Sequence, residues 1–481
     1  MKVFLIAFIA IFAAFEAAAQ KKVVCYYGTW ATYRPGNGKF DVANINPHLC
    51  THLIYTFFGI DDSGTFKSLD AYLDLQDNWG RGNIKMFDSL KAINPDVKTL
   101  AAVGGWNEGS VKYSNMAKDP AKRRRFIETS RDFLLQHGFN GLDMDWEYPA
   151  QREGDANVDK ANFVTLLKEL KEEFNKHGLL LSAAVAAAEA SASQSYDIPQ
   201  VSQYLDFINV MAYDLHGSWD SSVGINAPMY AGPSDQSATE RQLNVEASIN
   251  YWLGQGADPS KIILGVPLYG RSFTLQDSSR TSPGSPSTGP GSAGAYTREA
   301  GMLGYNEICE NFKQGGWNVK WDDTQKTPYA FKDRQWVGYD NEESIQVKGD
   351  YVNNKGLGGI MIWSIETDDF RGICGQDYPL LRKINAVVRP GVTIPDVENP
   401  VTNPTPGGGG ESGGGSGGGG NGGGSSGGDE RCTSDGTFRD PNNCSAFYQC
   451  VGGYYYGFQC PPGLLFDLNT QNCNYENQVS C

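Results

Sequence analysis

Residues 140–150 read NGLDMDWEYPA, with Asp143, Asp145 and Glu147 at strict two-residue spacing. On a β-strand, residues i, i+2 and i+4 face the same way, so the three carboxylates share one side. Leu142, Met144 and Trp146 take the other side. The apolar set suits packing against helices, which turns the acids towards the interior of the sheet. A closed barrel with helices outside and side chains inside has room for both faces.

Seven further apolar, β-branched or aromatic runs flank this stretch: VVCYYGTW (23–30), HLIYTFFGI (52–60), KTLAAVGGW (98–106), LLLSAAVAA (179–187), LDFINVMAYD (205–214), KIILGVPLYG (261–270) and GLGGIMIWSI (356–365). Amphipathic helical segments such as PAKRRRFIETSRDFLLQHG (120–138) and KANFVTLLKELKEEFNKHG (160–178) lie between them. Eight short buried strands with helical crossovers predict an α/β fold, most simply a (β/α)8 barrel. A doubly wound open sheet is the alternative. The gap of about 272–355 is too long for one crossover and predicts an inserted subdomain before the eighth strand, with Cys309 on a helix inside it.

Composition divides the 481 residues further. Residues 1–19 carry one early lysine, an apolar run and Ala17-x-Ala19, the pattern of a secretory signal peptide. A membrane anchor is the competing reading, but the run is short and Glu16 interrupts it. Residues 20–391 hold the barrel. Residues 392–430 are rich in Pro and then almost pure Gly and Ser, a tether with a typical span of roughly 35 Å. Residues 431–481 hold six of the ten cysteines, Cys432, Cys444, Cys450, Cys460, Cys473 and Cys481. Such crowding in a secreted chain predicts a small disulfide-rich module. Zinc is disfavoured there, since the tail has no CxxC pair and no histidine. The formal charge of -15 disfavours nucleic acid and anionic membranes, and suits neutral substrates such as uncharged polysaccharides.

In parallel barrels the chemistry gathers at the C-terminal ends of the strands. Those ends here carry Trp30, Trp106, Glu147, Tyr213 with Asp214, Tyr269 with Arg271, and Trp363. A metal site or an ion-pair cluster would be the competing role for the acid row. No histidine or acid pair at ligand spacing lies nearby, and few Lys or Arg sit close in sequence. Like-charged neighbours roughly 6–7 Å apart raise one another's pKa, which favours a retained proton and a general acid at the end of the row. Tryptophans around such acids suit a sugar, whose apolar C–H faces stack on rings. No metal and no cofactor is expected.

The stretch FNGLDMDWEYP resembles the D-G-x-D-x-D-W-E signature of family-18 glycoside hydrolases, the chitinases and their inactive lectin-like relatives. CYYGTWATYRPG, KTLAAVGGWN, MAYDLHGSW, GVPLYGRSF, GPGSAGAYTREAGML and GGIMIWSIETDDF extend the resemblance over nearly all of residues 20–390. It implies an α+β insertion and disulfides Cys25–Cys50 and Cys309–Cys374. It also implies that Glu147 donates the proton to the glycosidic oxygen, that Asp145 orients and electrostatically supports the substrate acetamido group, and that Asp143, its partner deeper in the barrel, helps set the proton inventory. Tyr213 would hydrogen-bond the acetamido oxygen. Trp363 would floor the cleaved sugar, with Met211, Asp214, Tyr269 and Arg271 as walls and Tyr27, Trp30, Trp106 and Trp219 as further sugar contacts. The implied reaction is endo-acting hydrolysis of β-1,4-linked N-acetylglucosamine with retention, the substrate's own acetamido oxygen being the nucleophile. Two positions depart from the signature. Asn140 stands where Asp is usual, and Glu366 where Asp is common. Asn140 lies at an odd offset from Asp143, so a role in local hydrogen bonding is expected of it.

The tail resembles peritrophin-A-type chitin-binding domains in FYQC, CPPGLLFD and its cysteine spacing. That implies pairings Cys432–Cys450, Cys444–Cys481 and Cys460–Cys473. Tyr454, Tyr455 and Tyr456 are the expected sugar face. Asn443-Cys-Ser is a formal glycosylation sequon. The resulting expectation is a secreted, monomeric enzyme whose partners are chitin and chito-oligosaccharides. A non-catalytic chitin-binding lectin is the alternative; lectin-like relatives characteristically replace the residue at Glu147. Cleavage of a glycoprotein N-glycan core is the third reading, and the chitin-binding tail argues against it.

Overall fold

The computed structural model describes residues 20–397 and, in the tail, 436–440, 443–451, 454–460, 464–468, 472–475 and 479. The expected signal peptide and the linker from residue 398 onward lie outside them. Eight parallel strands close on themselves: β1 (Lys22–Gly28), β2 (His52–Ile60), β3 (Lys98–Gly104), β4 (Gly141–Asp145), β5 (Leu180–Ala186), β6 (Phe207–Met211), β7 (Ile262–Pro267) and β8 (Gly359–Trp363). β1 pairs with both β8 and β2, which closes the barrel and rules out the open doubly wound arrangement.

The two-residue period sorts side chains between two cores. Leu142, Met144 and Trp146 join the large cluster between barrel and helices, together with Val23, Cys25 and Tyr27 of β1. Val24 and Tyr26 belong to the inner cluster with Ile54, Leu100, Ala102 and Met361. The helices that cover β4 are built for this. Pro120–Gln136 starts at Asp119, whose carboxylate accepts the amides of Ala121 and Lys122, and Pro120 takes the first turn, where its missing N–H costs nothing. Asp159–Asn175 buries Phe163, Leu166, Leu167, Leu170 and Phe174, a stripe at helical spacing. Trp146 packs edge-on against Phe163, and its Nε1 donates to Ser110 Oγ at 2.7 Å.

The insertion begins earlier than the sequence indicates. β7 ends at Pro267, paired with Trp363, and Tyr269–Leu275 is already the central strand of a separate six-stranded antiparallel sheet. Tyr269 and Arg271 therefore sit on the insertion, not at the end of the seventh barrel strand. The sheet finishes with Gln335–Gly338, and the helix Glu342–Asn354 that follows returns the chain to β8. Within the insertion, Cys309 lies on the helix Tyr305–Lys313 and is bonded to Cys374; Cys25 of β1 is bonded to Cys50.

The tail is a separate unit. Gly436–Asp440, Asn443–Val451 and Tyr454–Gln459 form a three-stranded antiparallel sheet, and Leu464–Asp467 pairs with Asn472–Tyr475. Phe447 stacks on Phe466 at 4.3 Å between ring centroids, so these two aromatics serve the module's own core. Cys444 and Cys460 are disulfide-bonded. Each of the three expected tail pairings involves at least one side chain outside the described residues, as do the rings of Tyr454, Tyr455 and Tyr456. Among the described residues no helix is long and apolar enough to cross a membrane.

Candidate active site

The acid row forms as the two-residue spacing predicts. Asp143 is fully buried inside the barrel, Asp145 is 3% exposed, and Glu147 is partly buried just past the end of β4. Asp143 is the anchored member. Its Oδ2 accepts from the Tyr26 hydroxyl at 2.6 Å, and its Oδ1 accepts from Ser182 Oγ at 2.6 Å and Asn209 Nδ2 at 3.1 Å. Asn209 also donates to the Tyr26 hydroxyl at 3.0 Å, so β1, β4, β5 and β6 share one polar knot. Tyr26, Ser182 and Asn209 escape the motif reading. Their signal is a polar group on the inward register of an otherwise apolar strand, where burial demands a partner.

Asp145 differs sharply from its neighbour. Its Oδ1 is buried with no hydrogen-bond partner in the protein. Desolvation pushes its pKa well above the carboxylate range, and the charges of Glu147 and Asp143 add to this. Burial also lifts Asp143 to about 6, against the three donors that favour its ionised form. Glu147 rises to about 7, again through burial; Asp214 adds to the rise, while a Tyr148 hydrogen bond and the Arg152 charge oppose it. The expected cause, mutual repulsion along the row, is thus secondary. Removal from water dominates in all three acids, since a low-dielectric site penalises each charge whether or not another stands beside it.

Around the row the barrel mouth is aromatic. Trp363 ends β8 and packs against Tyr26 at 5.6 Å. Phe57 stacks between Trp363 at 5.7 Å and Trp30 at 6.1 Å, which makes a continuous ring surface leading out of the barrel. Trp30, Trp106 and Trp219 are 40%, 58% and 60% exposed, unusual for tryptophan in a packed protein. Tyr213 is buried, with its hydroxyl 3.8 Å from Met361 Sδ and its ring edge-on to Tyr269. Met211, ending β6, packs against this inner cluster. On the insertion side, Arg271 grips Asp214 through Nε at 2.7 Å and Nη2 at 2.8 Å, and the Tyr269 hydroxyl donates to the same carboxylate at 2.6 Å. Asp214 adopts a left-handed φ of +54°, rare outside glycine, with its amide held by Asn226 Oδ1 at 2.8 Å. Asn226 carries no sequence signal, because it lies in a loop without periodicity.

Tyr27 needs correcting. It is fully buried on the outer face of β1 among Phe40, Tyr55 and Phe87, in the cluster between barrel and helices and away from the inner face that carries the acid row. The inward neighbour Tyr26 takes part in the site instead. The two departures from the signature are both structural. Asn140 precedes the strand, and its Oδ1 accepts the Thr99 amide at 2.9 Å, tying the start of β4 to β3. Glu366 is buried behind the mouth, where Oε2 accepts the Gly28 amide at 3.0 Å and Oε1 accepts Ser364 Oγ at 2.6 Å. As for metals, among the described residues the grouping of Cys309, Asp369 and Cys374 has both sulfurs committed to a disulfide.

Known proteins resemble this chain along most of its length. Residues 22–368 match the pattern of Glycosyl hydrolases family 18, and residues 432–481 that of the Chitin binding Peritrophin-A domain. "Probable chitinase 2" of Drosophila melanogaster is 42% identical, over 76% of this chain and 80% of its own. The solved Group IV chitinase of Ostrinia furnacalis in complex with allosamidin is 52% identical, with a TM-score of 0.75 over 78% of this chain and all of its own. Human YKL-39, described as a pseudo-chitinase with retained chitooligosaccharide binding, is 37% identical, with a TM-score of 0.71 over 77% of this chain and all of its own.

Proposed function

The chain belongs to family 18 of the glycosyl hydrolases, and on that premise we propose the roles of its residues as a secreted chitinase. The enzyme hydrolyses β-1,4-N-acetylglucosamine linkages with retention, and the substrate supplies its own nucleophile. The observation that carries this reading is the pairing of Asp145 and Glu147. Asp145 has a buried oxygen without a protein partner, suited to accept an acetamido N–H. Glu147 keeps its proton up to about pH 7, as a general acid must.

In the first half-reaction Glu147 protonates the glycosidic oxygen, and the C1–O bond breaks as the acetamido oxygen attacks C1. Asp145 holds the acetamido nitrogen and stabilises the positive charge of the oxazolinium ion. Asp143, held by Tyr26, Ser182 and Asn209 deeper in the barrel, helps set the proton inventory of the row by its charge on Asp145. The Tyr213 hydroxyl steadies the acetamido oxygen. In the second half, ionised Glu147 removes a proton from water as it attacks C1, which opens the ring with overall retention. Trp363 floors the reacting sugar. Trp30, Trp106 and Trp219 stack neighbouring sugars, while Met211, Asp214, Tyr269 and Arg271 wall the cleft. Residues 1–19 direct export. Residues 431–481 bind solid chitin at the end of the 392–430 tether, and the protein acts outside the cell as a monomer.

Release of soluble oligomers from chitin by wild type and by Glu147→Gln tests this. Release by wild type alone is expected; equal release overturns the role of Glu147, and no release from either overturns the catalytic reading in favour of the lectin. Deleting residues 392–481 should spare cleavage of short soluble oligomers while weakening retention on solid chitin. Collapse of oligomer cleavage would sink the two-body division.

A further inference from the structure

Arg152 follows Glu147 by five residues, in the loop between β4 and the next helix. Its guanidinium carbon lies 3.6 Å from the centre of the Trp106 ring, close enough for direct stacking. Its Nη1 donates to the Trp106 carbonyl at 2.8 Å and to the Glu147 carbonyl at 3.1 Å. One side chain thus ties the end of β3 to the end of β4 and braces a tryptophan that is otherwise largely exposed. The loop that presents it is unusual. Ala150, Arg152 and Glu153 adopt left-handed φ values of +67°, +50° and +67°. Non-glycine residues avoid that region, and it persists only where the surroundings enforce it. Here Asp159 Oδ2 accepts the Ala150 amide at 3.2 Å, and Gln151 Nε2 donates to Ser195 Oγ at 2.8 Å.

From this geometry we infer that Arg152 is a positioning residue, which clamps the Trp106 sugar platform to the backbone of the proton donor. The inference rests on Glu147 being that donor and Trp106 a sugar contact. A rigid platform with one covered face presents the other to substrate in a single orientation, so the sugar does not bear the cost of ordering it. The positive charge has a second effect. It favours ionised Glu147, opposing the Asp214 charge and the burial that hold the proton on. The other groups acting on Glu147 are Tyr148, Asp145, Tyr213 and Tyr196, from its own strand end and from the neighbouring elements.

The two effects separate in Arg152→Ala and Arg152→Lys. On soluble chito-oligosaccharides, Arg152→Ala is expected to raise KM about 2- to 5-fold, the factor for losing an exposed cation–aromatic contact. It should also move the alkaline limb of kcat/KM to higher pH. Arg152→Lys, which keeps the charge without the planar stack, should restore the limb and leave KM raised. In a Trp106→Ala background, Arg152→Ala should add nothing further to KM. Unchanged KM and limb in Arg152→Ala, with Glu147→Gln inactive, overturns this inference alone. A lowered melting temperature with KM and limb unmoved also overturns it, because Arg152 is then merely structural. An active Glu147→Gln overturns the reading beneath it.

Discussion

The ends of β4 and β8 each place a glutamate just beyond the strand, and the two side chains have opposite lives. Glu147 and Glu366 are both pushed up in pKa mainly by desolvation. Glu366, however, has its acceptors occupied by the Gly28 amide and the Ser364 hydroxyl, with the Arg34 guanidinium 3.8 Å away. It ties the β8 loop to the end of β1. Glu147 sits beside an Asp145 oxygen without a partner, at the foot of an open aromatic mouth. Burial and position on the rim are thus common to both acids, and what separates them is how far their surroundings are committed to the fold.

Exchanging side chains at these two positions is the strongest way to break the contrast. Glu147→Gln should lower kcat by about 10²- to 10⁴-fold, the usual worth of general acid–base catalysis, without loss of stability in urea. Glu366→Ala should do the reverse. Removing an acceptor from a buried amide and a nearby guanidinium costs about 1–3 kcal/mol, visible as a lower urea midpoint, while kcat per folded molecule falls far less. If the two variants behaved alike, the division would fail.

A pH series sharpens it further. Glu147 holds its proton to about 7 in the fold against an ordinary 4.5, so between those values the native state binds more protons than the unfolded one. Stability contributed by this site therefore falls as pH rises from about 4.5 to about 7. Glu147→Gln removes the liability, so its melting temperature should exceed that of wild type above about pH 7 and converge with it below about pH 4.5. In wild type, kcat/KM should decline as pH rises through about 7, since the donor must be protonated. The smallest effect belongs to Asn140→Asp. A carboxylate offers the Thr99 amide the same acceptor as the present side chain, so stability should change by no more than about 0.5 kcal/mol in urea unfolding.

Much of this was legible in the chain. The barrel follows from eight apolar runs and the helices between them, and the acid row from a period of two that no helix shares. The aromatic mouth follows from tryptophans just past strand ends. Tyr27 was misplaced because adjacent tyrosines on a strand differ only in which core they face, and the strand's register decides that. Asn226, Phe57 and Arg152 were out of reach, since each acts through partners far off in sequence or in an aperiodic loop.

The sequence alone therefore determined the alternation that puts acids inward and apolar groups outward, because strand geometry is local and ties facing to parity. It also determined the Gly/Ser-rich composition of residues 407–428 and the crowding of six cysteines beyond it, which composition writes directly. Only the tertiary structure decided which carboxylates are satisfied and which are poised. Asp143 is quieted by hydroxyl and amide groups from three other strands, Glu366 by the end of β1, and Asp145 by no protein group through its Oδ1. Desolvation and hydrogen bonding belong to the surroundings of a group, and barrel closure assembles those surroundings from the whole length of the chain.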